Sequence, residues 1–179
     1  MLRIISMAPV FKIFLFINLI IFNIEGKAQY NENVIRAAYI ERLTRFVEWP
    51  QITSRDTGYF KIGVYGDAEF YNILKIALID KSIKSRKVTV IELSDYKEIE
   101  TCDLCYLSGI SYNDIEKIMA SANKAGVLIL SAGKDYGTKG IHINFYIEED
   151  KLKFEINRKA VSAGNFKISS LLMNNSKII

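Results

Sequence analysis

The chain is poor in the residues that most catalytic and metal sites require. Its 179 residues include one histidine, two cysteines and one tryptophan. Two cysteines and one histidine cannot complete a four-ligand structural zinc site without carboxylates. His142 would need a serine or cysteine brought beside it by the fold to act as a catalytic base, and its place in Ile141–Phe145 puts it next to Asn144 on the polar face of a strand. We therefore expect a non-enzymatic protein with no catalytic residues, no metal and no cofactor.

A strong net charge is also missing. Without residues 1–28 the chain keeps 21 basic and 19 acidic residues. Its densest basic run, Lys81–Lys87, is typical of a solvated entry to a strand. Because binding to the phosphate backbone depends on clustered positive charge, we expect no nucleic-acid partner.

A long apolar run occurs only near the N-terminus, where it predicts an export signal. Ile13–Ile24 is apolar except for two asparagines, and it is too short to span a bilayer comfortably. Gly26 and Ala28 stand at the −3 and −1 positions of a signal peptidase site, which predicts cleavage after Ala28. The alternative is an uncleaved membrane anchor. We expect a periplasmic protein with a signal peptide at residues 1–28 and a single domain at residues 29–179.

The rest of the chain alternates short apolar runs with helical patterns, as layered α/β proteins do. Residues Arg36–Pro50 predict an amphipathic helix with Arg36 on its polar face, and Pro50 is expected to end it. A second helix, capped by Asp67, is expected to run to about Leu78, and a third to end at Gly126. Strands are predicted at Phe60–Tyr65, Lys87–Leu93, Leu104–Leu107, Val127–Leu130, Ile141–Ile147 and Leu152–Asn157.

The order and composition of these strands predict the fold class. Val127–Leu130 is apolar on both strand faces, which indicates a central strand covered by helices above and below. The last two strands are joined by the polar residues Glu148–Lys151, a length typical of a hairpin. Ala160–Met173 predicts a helix broken at Gly164. We expect a three-layer, Rossmann-like α/β sandwich with a mixed, mostly parallel sheet and a C-terminal antiparallel hairpin.

Cys102 and Cys105 are the one chemically suggestive pair. An exported protein meets oxidising conditions that favour disulfides. If all four residues were extended, however, the two side chains would face opposite ways, so a bond requires a turn before the strand. A redox-active pair at a helix N-terminus is disfavoured because Cys105 continues directly into a strand. The sequence is compatible with a structural disulfide and equally with two buried thiols.

Candidate binding residues fall into three sets. Trp49 is either a core residue or a binding hot spot with Arg45 and Glu48 as its polar rim. A second candidate partner surface consists of Glu155, Asn157 and Arg158. If the protein instead binds a small molecule, the carboxyl ends of the parallel strands predict a pocket near Gly66, Ser108 and Ser131.

Several motifs follow one another in a fixed order along the chain: Phe46–Pro50, Phe60–Tyr65, Ile83–Leu93, Cys102 before Leu104–Leu107, Val127–Ser131, Gly140–Phe145, Phe154–Asn157 and Ala163–Leu172. In this order they resemble the YfiR family of exported bacterial proteins. The resemblance covers nearly all of Ala37–Leu172. It also matches Cys102 to a family cysteine, although no distant partner cysteine is present in this chain.

The resemblance implies a regulatory function. The best-known member of the family is a periplasmic repressor of an inner-membrane diguanylate cyclase, and an outer-membrane lipoprotein releases it. Family members tend to form homodimers and to carry disulfides. By this resemblance we expect an exported regulator that binds and represses the periplasmic part of a membrane sensor or cyclase, and so acts on cyclic di-GMP signalling. The alternative from a different class is a periplasmic small-molecule binding module.

Overall fold

The computed structural model describes residues 32–50 and 58–179. The described residues from Val34 onwards belong to one compact unit, Val34–Ile179. The predicted signal peptide lies outside the described residues. Its cleavage after Ala28 and the single domain at 29–179 stay predictions.

The described elements alternate between helices and strands. The helices are α1 at residues 32–45, α2 at Ala68–Ala77, α3 at Tyr112–Ala125, α4 at Arg158–Ala163 and α5 at Ser170–Asn174, and a 3-10 helix covers Tyr96–Thr101. The strands are β1 Val47–Glu48, β2 Tyr59–Tyr65, β3 Ser82–Ile83, β4 Arg86–Leu93, β5 Leu104–Leu107, β6 Leu128–Ser131, β7 Ile143–Glu148, β8 Lys151–Ile156, β9 Lys167–Ile168 and β10 Lys177–Ile178.

Eight of these strands form one sheet in the order β10-β8-β7-β6-β5-β2-β4-β3. The central pairs β2–β4, β2–β5, β5–β6 and β6–β7 are parallel. The pairs β3–β4 and β7–β8 are antiparallel, and β10 adds to β8 in parallel. This arrangement confirms the predicted mixed, mostly parallel sheet with an antiparallel hairpin.

Two apolar cores cover the two faces of the sheet, which makes three layers. Side chains alternate across β5: Leu104 and Tyr106 enter the core that contains α1 and α2, whereas Cys105 and Leu107 enter the core that contains α3. All four residues of β6 are buried, because helices lie over both faces.

Local sequence signals account for the helix ends. The Asp67 side chain accepts a hydrogen bond from the Phe70 backbone N–H at 2.9 Å and so begins α2. Gly126 follows α3 in a left-handed conformation with φ of +63°. The hairpin turn places Glu149 and Asp150 at φ of +51° and +56°, as a two-residue turn requires. The predicted break of the last helix at Gly164 is observed between α4 and α5.

The first predicted helix differs from the structure in two respects. It ends at residue 45, and Val47 and Glu48 form β1 by pairing with Ile168 and Lys167 of β9. This pairing is made with residues more than 100 positions away, so the helical pattern could not reveal it. Arg36 is also not on a polar face: it is 3% exposed, and its Nη1 donates to the Tyr106 hydroxyl at 3.1 Å.

Two glycines with similar backbone angles allow a test of the packing between strand ends. Gly66 has φ of +76°, and a Cβ at this position would lie 2.2 Å from the Ser108 carbonyl oxygen. Gly58 has φ of +73°, and a Cβ there would meet none of the described residues within 4 Å. A left-handed alanine costs about 1 kcal/mol, and forced overpacking adds about 1–3 kcal/mol.

We therefore expect Gly66→Ala to lower the free energy of unfolding by roughly 3 kcal/mol and Gly58→Ala by about 1 kcal/mol. Urea denaturation followed by circular dichroism would measure both values. Equal losses in the two variants would contradict the close approach of Gly66 to Ser108.

Candidate functional site

A surface groove lies between α1, α5 and the β7–β8 hairpin. It consists of two neighbouring cavities with volumes of about 370 Å³ and 400 Å³. Tyr39, Phe154 and Asn175 line both cavities, so the two spaces adjoin. We call this feature the α1–α5 groove.

The first cavity of the groove is mostly apolar. Its wall is formed by Tyr39, Leu43, Phe46, Phe154, Leu171 and Leu172, with Arg42 and Asn175 completing it. Phe154 is held in place by Tyr39, which packs edge-on against it at 5.9 Å between ring centroids. Leu171 is 58% exposed at the edge of this wall. The first half of the groove therefore offers uncovered apolar surface.

Two lysines line the second cavity. Lys153 and Lys177 line it together with Tyr146, Leu152, Asn174 and Ser176. Lys153 donates to Glu148, and this hydrogen bond raises the pKa of the Lys153 ammonium. Lys177 lies 3.6 Å from Glu155 and 5.7 Å from the centroid of the Tyr146 ring. Neither glutamate lines the cavity, so its charged lining residues are cations.

The predicted pocket residues meet at the carboxyl ends of three adjacent strands, as expected for parallel strands. Ser131 is buried, and its hydroxyl donates to the Leu107 carbonyl at 2.7 Å. Gly66 lies close to the Ser108 carbonyl, as described above. None of the three residues lines either cavity of the groove. A ligand site at Gly66, Ser108 and Ser131 stays a prediction.

Trp49 packs into the protein body rather than projecting from it. Its indole N–H donates to the Asp103 carbonyl at 2.9 Å, and its ring meets Phe60 edge-on at 5.2 Å. Arg45 and Glu48 remain exposed, with contacts to Glu41 and to Lys167. The two charged residues are thus accessible to a partner, whereas most of the indole surface faces other side chains.

The second predicted partner surface, Glu155, Asn157 and Arg158, also contains both buried and exposed residues. Glu155 is 7% exposed and accepts a hydrogen bond from the Asn144 amide at 3.1 Å. Asn157 caps α4 by accepting from the Ala160 backbone N–H at 2.9 Å. Arg158 is exposed. A role for these three residues in partner binding stays a prediction.

His142 is fully buried, which the sequence analysis missed. Its Nδ1 accepts from the Ile129 backbone N–H at 3.0 Å, so the proton of the neutral ring lies on Nε2, 2.9 Å from Asn123 Oδ1. Burial lowers the pKa of His142 to about 3. His142 precedes β7 rather than lying within it, so strand alternation did not apply to it. The neutral imidazole links β6 to α3.

Both cysteines are buried and face the same glycine. A Cβ built on Gly63 would lie 2.9 Å from Cys102 Sγ and 3.0 Å from Cys105 Sγ. The two sulfur atoms are therefore no farther apart than the sum of these distances. A bend at Asp103 supplies the turn that a bond between the pair would need.

Residues 32–50 and 58–179 lack two kinds of feature. Within these ranges, no group of three or more His, Cys, Asp and Glu side chains is placed to hold a metal ion. In the same part of the chain, no helix has both the length and the apolar character needed to cross a membrane.

Comparison with known proteins identifies the family. A family model described as YfiR/HmsC-like matches residues 33–177. The chain belongs to the YfiR/HmsC-like family. This confirms the resemblance carried by the ordered motifs. YfiR-like proteins are typically periplasmic regulators rather than enzymes and are known for interacting with membrane signalling proteins. No protein of curated function matches the chain.

One solved structure shows the same fold as this YfiR/HmsC-like chain. A conserved domain protein from Vibrio cholerae is 13% identical, with a TM-score of 0.55 over 82% of this chain and 59% of that chain. The chain thus spans about three fifths of the length of that relative, and the similarity confirms the layered α/β fold. Two further similarities have TM-scores of 0.46 and cover 66% of this chain. One is to an ABC domain in complex with L-Trp from Streptococcus pneumoniae, which is 11% identical and matched over 55% of its length. The other is to a ligand-free substrate-binding protein with adhesive properties from Clostridium difficile, which is 13% identical and matched over 54% of its length.

The buried His142 predicts a pH-dependent stability. Its pKa rises from about 3 in the folded state to an ordinary value near 6.5 on unfolding, so the unfolded state binds more protons between these values. The contribution of the neutral His142 to the free energy of unfolding is therefore fully present above about pH 6.5 and is lost as the pH falls towards 3. Between pH 7 and pH 5 we expect this histidine to increase the unfolding equilibrium constant roughly 25-fold.

His142→Gln stays neutral and lacks this contribution. Urea denaturation of both proteins at pH 7 and pH 5 would show a smaller acid loss in the variant. If the variant does not fold, nitrogen-15 chemical shifts of the native imidazole provide the second measurement. An imidazole that protonates near pH 6 would contradict its burial.

A disulfide between Cys102 and Cys105 stays a prediction. We expect protein isolated from an oxidising compartment to contain the bond, because the bend at Asp103 places both sulfur atoms beside Gly63. Alkylation under denaturing conditions without reductant should then modify neither cysteine, and mass spectrometry would detect this. Two alkylated thiols in the unreduced sample would exclude the bond.

Proposed function

We propose that this protein is an exported regulator that binds the periplasmic part of a membrane signalling protein, namely a diguanylate cyclase, and represses it. The observation that carries the proposal is the family match, which covers residues 33–177. That match supports a periplasmic regulatory role in general. We further propose that the target is a cyclase, that an outer-membrane lipoprotein releases the repressor, and that the repressor is a homodimer.

Binding alone is sufficient for such a repressor. A protein that binds the inactive arrangement of its partner more tightly than the active one shifts the partner towards inactivity. A change from mostly active to mostly inactive needs roughly 5.5 kcal/mol of preference. This mechanism requires an accessible contact surface and no reacting group.

The exposed charges after α1 are the proposed contact surface. The Arg45 side chain is 67% exposed and that of Glu48 is 72% exposed. Arg45 donates to the Glu41 carboxylate one helical turn earlier and keeps most of its side chain accessible to a partner. Trp49 supports this surface from below through its hydrogen bond to Asp103. Changing these charges is therefore expected to affect binding more than folding.

A complementation experiment tests the function and the surface together. In a strain that lacks the protein we expect more cyclic di-GMP than in the wild type, because the cyclase is no longer repressed. The native protein should restore the lower level, whereas Arg45→Glu should not, because charge reversal opposes the partner. Extracted cyclic di-GMP would be quantified by mass spectrometry.

Lys97→Glu is the matched control. The Lys97 side chain is 71% exposed and, like Arg45, contacts a nearby carboxylate, but it lies on the 3-10 helix. This variant should restore repression as the native protein does. Unchanged cyclic di-GMP in the deletion strain would reject the cyclase as the target. Equal behaviour of the two variants would reject the Arg45 surface while leaving the regulatory function intact.

A further inference from the structure

We propose that the α1–α5 groove is a binding site for an anionic amphiphile, namely a single acyl chain that ends in a carboxylate. The inference needs only the groove, and it does not depend on the identity of the membrane partner. It follows from the shape of the groove, from the separation of apolar and charged groups along it, and from the sign of the charge.

The shape of the groove suits an elongated small molecule. Its cavities of about 370 Å³ and 400 Å³ each lie within the range of small-molecule sites. They share Tyr39 and Phe154, so a ligand can pass from one to the other beside these rings. The rings are supported from behind by Phe145, which meets both edge-on. A preformed aromatic wall of this kind needs little rearrangement to receive an acyl chain.

Apolar and polar groups are segregated along the groove. The first cavity contains Leu43, Phe46, Leu171 and Leu172, whereas the second contains both lysines and the polar residues Asn174 and Ser176. Leu171 at the rim would lose its contact with water when an acyl chain covers it. One end of the groove therefore favours a hydrocarbon chain and the other a polar head.

The charge of the polar end selects an anionic head. Lys153 and Lys177 are the charged residues that line the second cavity, and Arg42 is the charged residue that lines the first. Each ammonium carries three N–H donors, and the Lys153 and Lys177 side chains are 40% and 61% exposed, so both can donate to a carboxylate in addition to their glutamates. Glu148 and Glu155 contact these lysines from outside the cavity lining, so a bound carboxylate would use the N–H donors that the two glutamates leave exposed. A cationic head would be repelled by the same lysines.

Sodium dodecanoate, used below its micelle concentration with the purified protein, provides the test. Isothermal titration calorimetry should show one dodecanoate bound per chain. Dodecan-1-ol and dodecyltrimethylammonium have the same chain length but a neutral and a cationic head. We expect each of them to bind at least tenfold more weakly than dodecanoate, because neither can pair with the two lysines.

Two exposed aliphatic residues provide a matched pair of variants. Leu171→Asp places a negative charge at the apolar end and should weaken dodecanoate binding at least tenfold. Ile76 is 73% exposed on α2 and lines neither cavity, so Ile76→Asp should bind dodecanoate as the native protein does. Lys153→Gln should reduce the preference for dodecanoate over dodecan-1-ol several-fold, and the exposed Glu148 that it leaves behind stays solvated.

Several results would overturn the proposal. Equal affinity for the carboxylate, the alcohol and the ammonium compound would show a merely apolar surface. More than one dodecanoate per chain, or equal effects of Leu171→Asp and Ile76→Asp, would show non-specific adsorption. Dimerisation of ligand-free protein that Leu171→Asp abolishes would show that a second copy fills the groove. If the deletion strain shows unchanged cyclic di-GMP while the purified protein still binds dodecanoate, only the regulatory proposal is rejected.

Discussion

The carboxylate and backbone of Asp103 hold together elements from most of the chain. One carboxylate oxygen accepts from Arg86 Nη2 at 2.6 Å and the other from the Lys61 backbone N–H at 2.8 Å. The carbonyl oxygen of the same residue accepts from the Trp49 indole at 2.9 Å and from the Leu128 backbone N–H at 3.0 Å. Asp103 therefore connects β2, β4 and β6 to the segment that follows α1, at the point where β5 begins. Because charge-assisted hydrogen bonds are shorter and stronger than neutral ones, this cluster sets the position of the central strands.

Alternation along β5 determines which of its side chains enter each core. Leu104 and Tyr106 face α1 and α2, while Cys105 and Leu107 face α3. On the first face α1 then lies over Phe145 and Phe154, and the α1–α5 groove remains open between α1 and α5. The two cysteines lie on the second face, and His142 is hydrogen-bonded to Asn123 of α3 and to Ile129, the residue paired with Cys105. The α1–α5 groove thus lies on one side of the sheet, and the buried thiols lie on the other.

Much of the architecture was predictable because it depends on local patterns. Apolar runs such as Leu104–Leu107 and Val127–Leu130 mark buried strands wherever the chain places them. Asp67 and Gly126 act within one turn of the helices that they delimit, so their roles could be predicted from neighbouring residues. The two-residue strands β1, β9 and β10 could not be predicted, since each exists only through pairing with a distant segment. The α1–α5 groove could not be predicted either. Tyr39 lies on α1 and Leu171 on α5, and the sequence pattern of each helix does not show which faces of the two helices meet.

The sequence by itself determined the alternation of strands and helices, the hairpin turn at Glu149–Asp150, the near-neutral charge and the ordered motifs of the YfiR/HmsC-like family. These properties follow from residue type and from spacing along one stretch of chain. The tertiary structure alone decided that Arg36 and His142 are buried, that Asp103 joins several strands, and that Leu171 lines a groove with two lysines. These outcomes require contacts between residues far apart in sequence, and the free energy of such contacts depends on burial and distance, which the order of residues does not specify.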